Sequence, residues 1–160
     1  MKTTKNIALV ITLVTLIIKM TSINGMFAMN TEPTMADRLL YSFCHATFVH
    51  AILNAWALLS IAFIYEPKMR QLNMAYIIAI LCPKALCTAP TIGLSVVIYA
   101  LLGMMSFRVR DIGFYQLCMA CSLIAGCLFP YSNGGVHIYA YIIGLVIALF
   151  DTPIACFKRK

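Results

Sequence analysis

The sequence predicts an all-α fold, a polytopic membrane bundle of six transmembrane helices, and three observations carry that prediction. Of the 160 residues, 62% are hydrophobic and 11% charged, with a mean hydropathy of +0.92. An ordinary soluble domain holds about 25% charged residues, so this composition excludes a disordered chain and fits a water-soluble globule poorly. The hydrophobic residues fall into six runs, and at about 20 apolar residues per span six spans use roughly 120 residues. The basic residues collect at the ends of those runs, as they do in cytoplasmic loops.

The apolar runs read as 7–29, 41–65, 73–90, 92–107, 113–130 and 137–157. They break at Asn30–Pro33, Glu66–Lys68, Pro90–Thr91, Arg108–Asp111 and Pro130–Gly135. No repeat or long linker divides the chain, so residues 1–160 read as a single domain. Of twelve basic residues, nine stand in four clusters: Lys2/Lys5, Lys68/Arg70, Arg108/Arg110 and Lys158/Arg159/Lys160. With the N-terminus inside, all four clusters are cytoplasmic. Arg38 and Lys84 then lie outside, and Lys19 lies within the first run. Both termini therefore read as cytoplasmic. The net charge of +7 belongs to span ends, so nucleic acid is not an expected partner.

The first run has a second reading. Lys2 and Lys5 ahead of Ile7–Ile18, with small residues near Ala28, also fit a secretory signal. Its cleavage leaves five spans and satisfies the charge rule equally well. Lys19 interrupts the stretch and favours retention. The first outer loop, between Asn30 and Tyr41, reads as very short. The seven cysteines, at 44, 82, 87, 118, 121, 127 and 156, lie in or beside apolar runs. Cys118-x-x-Cys121 has metal-site spacing, but its neighbours Leu117, Met119, Ala120 and Leu123 offer no polar second shell. These cysteines read as small helix-packing residues. No metal or cofactor is expected.

Polar groups inside a membrane are costly and mark function. Runs two, four and six descend from outside to inside, and each holds such a group near its outer end: His50 with Asn54, Ser95, and His137. Ser95 precedes Arg108 by 13 residues and His137 precedes Asp151 by 14. At about 1.5 Å per residue both sit roughly 20 Å above the cytoplasmic boundary. They share a depth some 10 Å below the outer surface of a core about 30 Å thick. Run four, with 16 residues, reaches only about 24 Å. Its outer end must start within the membrane, and the loop around Pro90–Thr91 must dip in, which requires a buried or wet setting.

Ser95 at a helix N-terminus is a nucleophile in search of a base, and His137 can take its proton and return it to a leaving amine. His50 and Asn54, at i and i+4, share a helix face and can donate to a developing oxyanion together with the Ser95 N–H. No Asp or Glu stands at the right depth for a third member: Glu66 and Asp151 are cytoplasmic, Glu32 and Asp37 lie in the first outer loop. The reading is a Ser–His dyad.

At these residues the sequence resembles the rhomboid intramembrane serine proteases, over about residues 38–157. The motifs are Arg38-Leu-Leu, Phe43-Cys-His45, His50-x-x-x-Asn54, Gly93-Leu-Ser95, Tyr99-Ala-Leu-Leu-Gly103, and Asn133-Gly-Gly-Val-His137 followed by Gly144. The resemblance implies a minimal bacterial six-span form in the inner membrane, with the first run as the sixth span. It implies Ser95 as nucleophile, His137 as base, His50 and Asn54 in the oxyanion hole, and Gly93 as the first glycine of the nucleophile motif. It further implies that Tyr99 stacks on His137, that His45 supports the first outer loop, that Glu66 is structural, and that Gly144 lets runs four and six approach. The implied substrates are membrane proteins, cut within transmembrane segments. Where the family has a second glycine after the nucleophile this chain has Val96, and its glycine three residues after the histidine is Ala140. Replacing Val96 by glycine is expected to leave activity unchanged or raised, at a stability loss of up to about 1 kcal/mol. Three other readings compete: an inactive relative that binds transmembrane clients, a transporter or channel subunit, and, since His137-Ile-Tyr139 is similar to rhombosortases, processing of C-terminal sorting tags. A transporter would show inverted repeats, and none is present.

Overall fold

From Ile7 to Ile18 nothing breaks helical geometry, and the first helix, α1, runs Lys2–Lys19. In this computed structural model residues 2–21, 26–87, 89–128 and 132–151 are described. They form an all-helical protein whose extended pairing is confined to one bridge, Met29 with Thr91. After α1 come α2 (Met35–Leu40), a 3₁₀ turn (Tyr41–Phe43) and α3 (Phe48–Ile64). Then follow α4 (Met69–Ile80), a second 3₁₀ turn (Lys84–Leu86), α5 (Ser95–Met105), α6 (Ile112–Leu128) and α7 (Gly134–Asp151).

The helix starts have local causes. Thr34 and Asp37 form a reciprocal capping box on α2, and the Thr34 hydroxyl and backbone N–H hold the Asp37 carboxyl below the usual carboxylate range. Thr47 caps α3 by accepting the His50 N–H at 3.0 Å. Asp111 does the same for α6, accepting the Phe114 N–H at 2.9 Å.

The core is built around α5, where Val96, Val97, Ile98, Ala100, Leu101 and Met104 are all buried. Its closest partner is α7. Their backbones meet at Gly103 and Gly144: a Cβ on Gly103 would overlap the Tyr141 carbonyl, and one on Gly144 the Ala100 carbonyl. Ala140, fully buried, continues the α7 contact face. α1 lies along α3 through small residues, Thr4, Ala8, Thr12 and Thr15 against a face bearing Ala51, Ala55 and Ala62. Outward the helices present large apolar side chains, among them Val10, Leu13 and Ile17 on α1, Trp56 and Ile64 on α3, and Phe114, Leu117 and Ile124 on α6.

Ion pairs tie one end of the bundle together: Lys5 with Glu66, and Arg70 with Asp151. The opposite end gathers Lys19, Thr47, the start of α5 and the start of α7. Lys5 and Arg70 with their acidic partners thus sit at the end opposite Ser95 and His137.

Several boundaries differ from the runs read in the sequence. Run 7–29 ends as helix at Lys19, and the connection to α3 extends to Thr47. The first connection is therefore not short, and its described part carries α2 and a 3₁₀ turn. Run 41–65 becomes helical only at Phe48, and run 73–90 is helix over 69–80 with its remainder in the loop before α5. Residues 92–94 precede α5, and α6 covers 112–128 of the fifth run. The last helix starts three residues early, at Gly134. Residues 152–157, Cys156 and the Lys158–Lys160 cluster lie outside the described residues. Among the described helices α7 alone is long and apolar enough to cross a membrane; α2, its 3₁₀ turn and α3 pass that test only as a pair bent by 83°. α1 is of equal length but carries Lys2, Lys5 and Lys19.

The backbone contact between α5 and α7 makes position 144 intolerant of any side chain. Gly144→Ala is expected to lower stability by about 1–3 kcal/mol, read as a lower thermal midpoint in detergent. An unchanged midpoint would show that the two helices can separate freely.

Candidate active site

Ser95 is the first residue of α5 and His137 the fourth of α7, so the close approach of these helices brings the two side chains together. His137 Nε2 lies 2.9 Å from Ser95 Oγ. Tyr99, one turn along α5, stacks on the imidazole with ring centroids 4.8 Å apart and planes 28° apart. With Nε2 facing the hydroxyl, His137 can accept its proton when Nδ1 carries the ring hydrogen.

His50 and Asn54 approach from α3. Gly93 has φ +116°, and a Cβ there would stand 2.9 Å from His50 Cε1 and 3.3 Å from Asn54 Nδ2. Glycine is required at 93 both by its backbone and by the two side chains pressed against it. Asn54 Nδ2 is buried and makes no hydrogen bond within the described residues, an arrangement that ordinarily costs about 1–3 kcal/mol. His50, Ser95 and His137 line one cavity of about 480 Å³, with Thr91, Asn133 and the small Ala46 and Ala89.

The loop that carries Ser95 is held at every turn. Thr91 exchanges both backbone hydrogen bonds with Met29, at 2.9 and 2.7 Å. Gly93 N–H donates to the Tyr41 carbonyl at 3.0 Å, and Leu94 N–H to His45 Nε2 at 3.3 Å. With Nε2 accepting, the neutral His45 ring carries its hydrogen on Nδ1, which faces the Phe43 carbonyl at 3.4 Å. His45 therefore supports the Ser95 loop directly as well as belonging to the first connection. Lys19 donates to the carbonyls of His45 and Ala46, each at 3.0 Å.

All five acidic residues are engaged away from the dyad. Glu66, Asp151 and Glu32 are ion-paired, Asp37 is in its capping box, and Asp111 caps α6. Gly144 stands at the α5 contact, as its spacing from His137 suggests. No group of three or more potential ligands that could hold a metal occurs among the described residues. Cys118 and Cys121 are exposed on α6, not packed between helices. The half-buried face of α6 runs through Tyr115, Met119, Ser122 and Gly126, and the two cysteines fall outside it. Val96 is fully buried, so its side chain contributes about 1.5–3 kcal/mol by burial. Trimming it to glycine removes more stability than its backbone alone indicates.

Two contributors have no sequence signature: Lys19 as a cap on a distant loop, and Ser122, whose Oγ lies 2.7 Å from the Tyr99 hydroxyl; a third, Asn133, stands in the Asn133-Gly-Gly-Val-His137 motif, which assigns it no role of its own. Asn133 Nδ2 donates to the Ala89 carbonyl at 2.6 Å and to the Thr91 hydroxyl. Its own carbonyl accepts from Val136 and His137 at the start of α7. It joins the loop before the serine to the helix of the histidine.

No protein-family model matches the chain, and no curated protein matches it.

Asn133→Ala removes these side-chain bonds and leaves the Ala89 carbonyl and the Thr91 hydroxyl less well satisfied. A stability loss of about 1–3 kcal/mol is expected, measured by thermal unfolding in detergent. A variant as stable as wild type would mean the loop is held without Asn133.

Proposed function

We propose that the chain is a rhomboid-type intramembrane serine endopeptidase that cleaves transmembrane segments of membrane proteins with a Ser95–His137 dyad. The observation that carries this reading is the 2.9 Å contact between Ser95 Oγ and His137 Nε2, with Tyr99 stacked behind the imidazole. Ser95 Oγ passes its proton to His137 Nε2 and attacks the scissile carbonyl. The oxyanion meets the unpartnered amide of Asn54 and the His50 side chain. His137 then protonates the leaving amine, and water entering from the cavity hydrolyses the acyl-enzyme with His137 as base.

The membrane setting belongs to the same proposal. α1 and α3–α7 form a six-span bundle in the bacterial inner membrane, both termini cytoplasmic. Its support is the apolar belt of outward side chains and the segregation of Lys5, Arg70 and their partners to the end opposite the dyad. Helices as short as α5, with 11 residues, span only about 16 Å. Such a helix, with its starting loop buried in protein, leaves the dyad below the membrane surface yet open to water through the cavity.

Ser95→Ala and His137→Ala are each expected to reduce cleavage of a transmembrane reporter in reconstituted bilayers below about 10% of wild type. The double variant should be little worse than either. Turnover above that level in either purified variant would reject the dyad. Labelling of wild type, but not Ser95→Ala, by a fluorophosphonate tests the nucleophile without a substrate.

Topology makes a separate prediction. In a cysteine-free background, cysteines introduced at 3 and 110 are expected to resist an impermeant reagent added outside, and one at 135 to react. The reverse pattern would overturn the orientation.

A further inference from the structure

A loosely packed helix lies beside the candidate base. α6 buries none of its residues fully. It is held to the bundle largely by hydroxyl and amide contacts. Near its start, the Tyr115 hydroxyl donates to the Leu102 carbonyl at 2.7 Å, and the Tyr141 hydroxyl donates to Gln116 Oε1 at 2.6 Å. Both anchors lie toward the end away from Ser95. Farther along, Ser122 Oγ meets the Tyr99 hydroxyl at 2.7 Å. One turn beyond, a Cβ on Gly126 would come within 3.7 Å of His137 Nδ1. The Ser122–Gly126 face of α6 thus lies against the tyrosine and the back of the histidine.

We infer that Ser122 is a positioning residue that acts on His137 through Tyr99, so that the seating of α6 is read by the base of the dyad. The inference rests on the protease reading above. Tyr99 is fixed at its Cα by α5 and at its hydroxyl by Ser122. Between those two points its ring forms the wall on which the imidazole stacks. Freed of Ser122, the ring is anchored at one end only, and the imidazole loses the surface that defines its plane. Misplacement by an ångström far from the bond being broken is enough to slow a reaction greatly. Ser122 touches neither partner of the Ser95–His137 contact, so its loss acts on the rate and not on substrate binding. Any substrate that displaces the outer half of α6 acts on His137 through the same hydroxyl.

The test compares Ser122→Ala, Ser122→Thr, Tyr99→Phe and the double variant Ser122→Ala/Tyr99→Phe, as full chains in bilayers. Ser122→Ala is expected to lower kcat about tenfold with KM unchanged, and Ser122→Thr, which keeps the hydroxyl, to restore it. Tyr99→Phe keeps the stack but removes the hydroxyl, so it should match Ser122→Ala, and the double variant should be no slower. Wild-type kcat in Ser122→Ala, or additive losses in the double variant, overturn the inference. A second readout needs no turnover. With only three histidines in the chain, ¹⁵N-histidine labelling resolves the His137 ring, identified by its loss in His137→Gln. Its resonance should shift in Ser122→Ala and Tyr99→Phe alike and return in Ser122→Thr. An unmoved resonance refutes the coupling whether or not the protein cleaves. A wild type that neither cleaves nor labels, but shows the expected shifts, counts against the protease reading alone.

Discussion

Residues 89–94 form a non-helical stretch of backbone, buried at Thr91, Gly93 and Leu94, whose polar groups need partners. That requirement organises the site end of the molecule. Met29 and Tyr41 from the first connection, His45 from the turn before α3, and Asn133 from the start of α7 each satisfy part of it. Lys19 in turn holds the carbonyls of His45 and Ala46. The helices that meet at the site therefore converge on one short loop, and Ser95 follows from it. A peptide segment without helical bonds of its own is thereby tethered to several elements at once.

The second determinant is distance between backbones. Ser95 and His137 lie on different helices, and a hydrogen bond between them survives only if those helices stay in register and in contact. Gly103 and Gly144 provide that contact at the level of the main chain, away from the dyad. Side chains packed between helices can shift rotamers; carbonyls in van der Waals contact cannot. Precision at the Ser95 hydroxyl is thus set two or more turns below it.

The all-helical class, the pairing of Ser95 with His137 and the neighbourhood of His50, Asn54 and Gly93 were legible because periodicity and depth along parallel helices are local quantities. Counting residues back from the charged positions Arg108 and Asp151 is enough to level Ser95 with His137. Tyr99 followed from a one-turn offset and from family resemblance. Helix ends were less legible: apolar composition continues through Met29 and through residues 41–47, while the backbone leaves the helix to bond residues far along the chain. The role of Lys19 was hidden for the same reason, since an interrupting charge in an apolar run says nothing of which carbonyls it meets. Cys118 and Cys121 were misread because a helix of uniformly apolar character gives no periodic signal of which face turns inward. Hydroxyls at Tyr115 and Ser122, bonded across to α5, mark that face better than hydrophobicity does.

Asn54 has a consequence for how such a chain evolves. A buried amide nitrogen without a partner among the described residues lowers the stability of the resting protein, and leucine at that position would relieve it. Selection for folding alone would remove the asparagine. On the proposed mechanism, the resting state carries this cost in solvation free energy, and negative charge arising beside Gly93 would relieve it. Variants selected for heat resistance would lose their polar group at 54 early, and with it the oxyanion donor that the proposed mechanism assigns there.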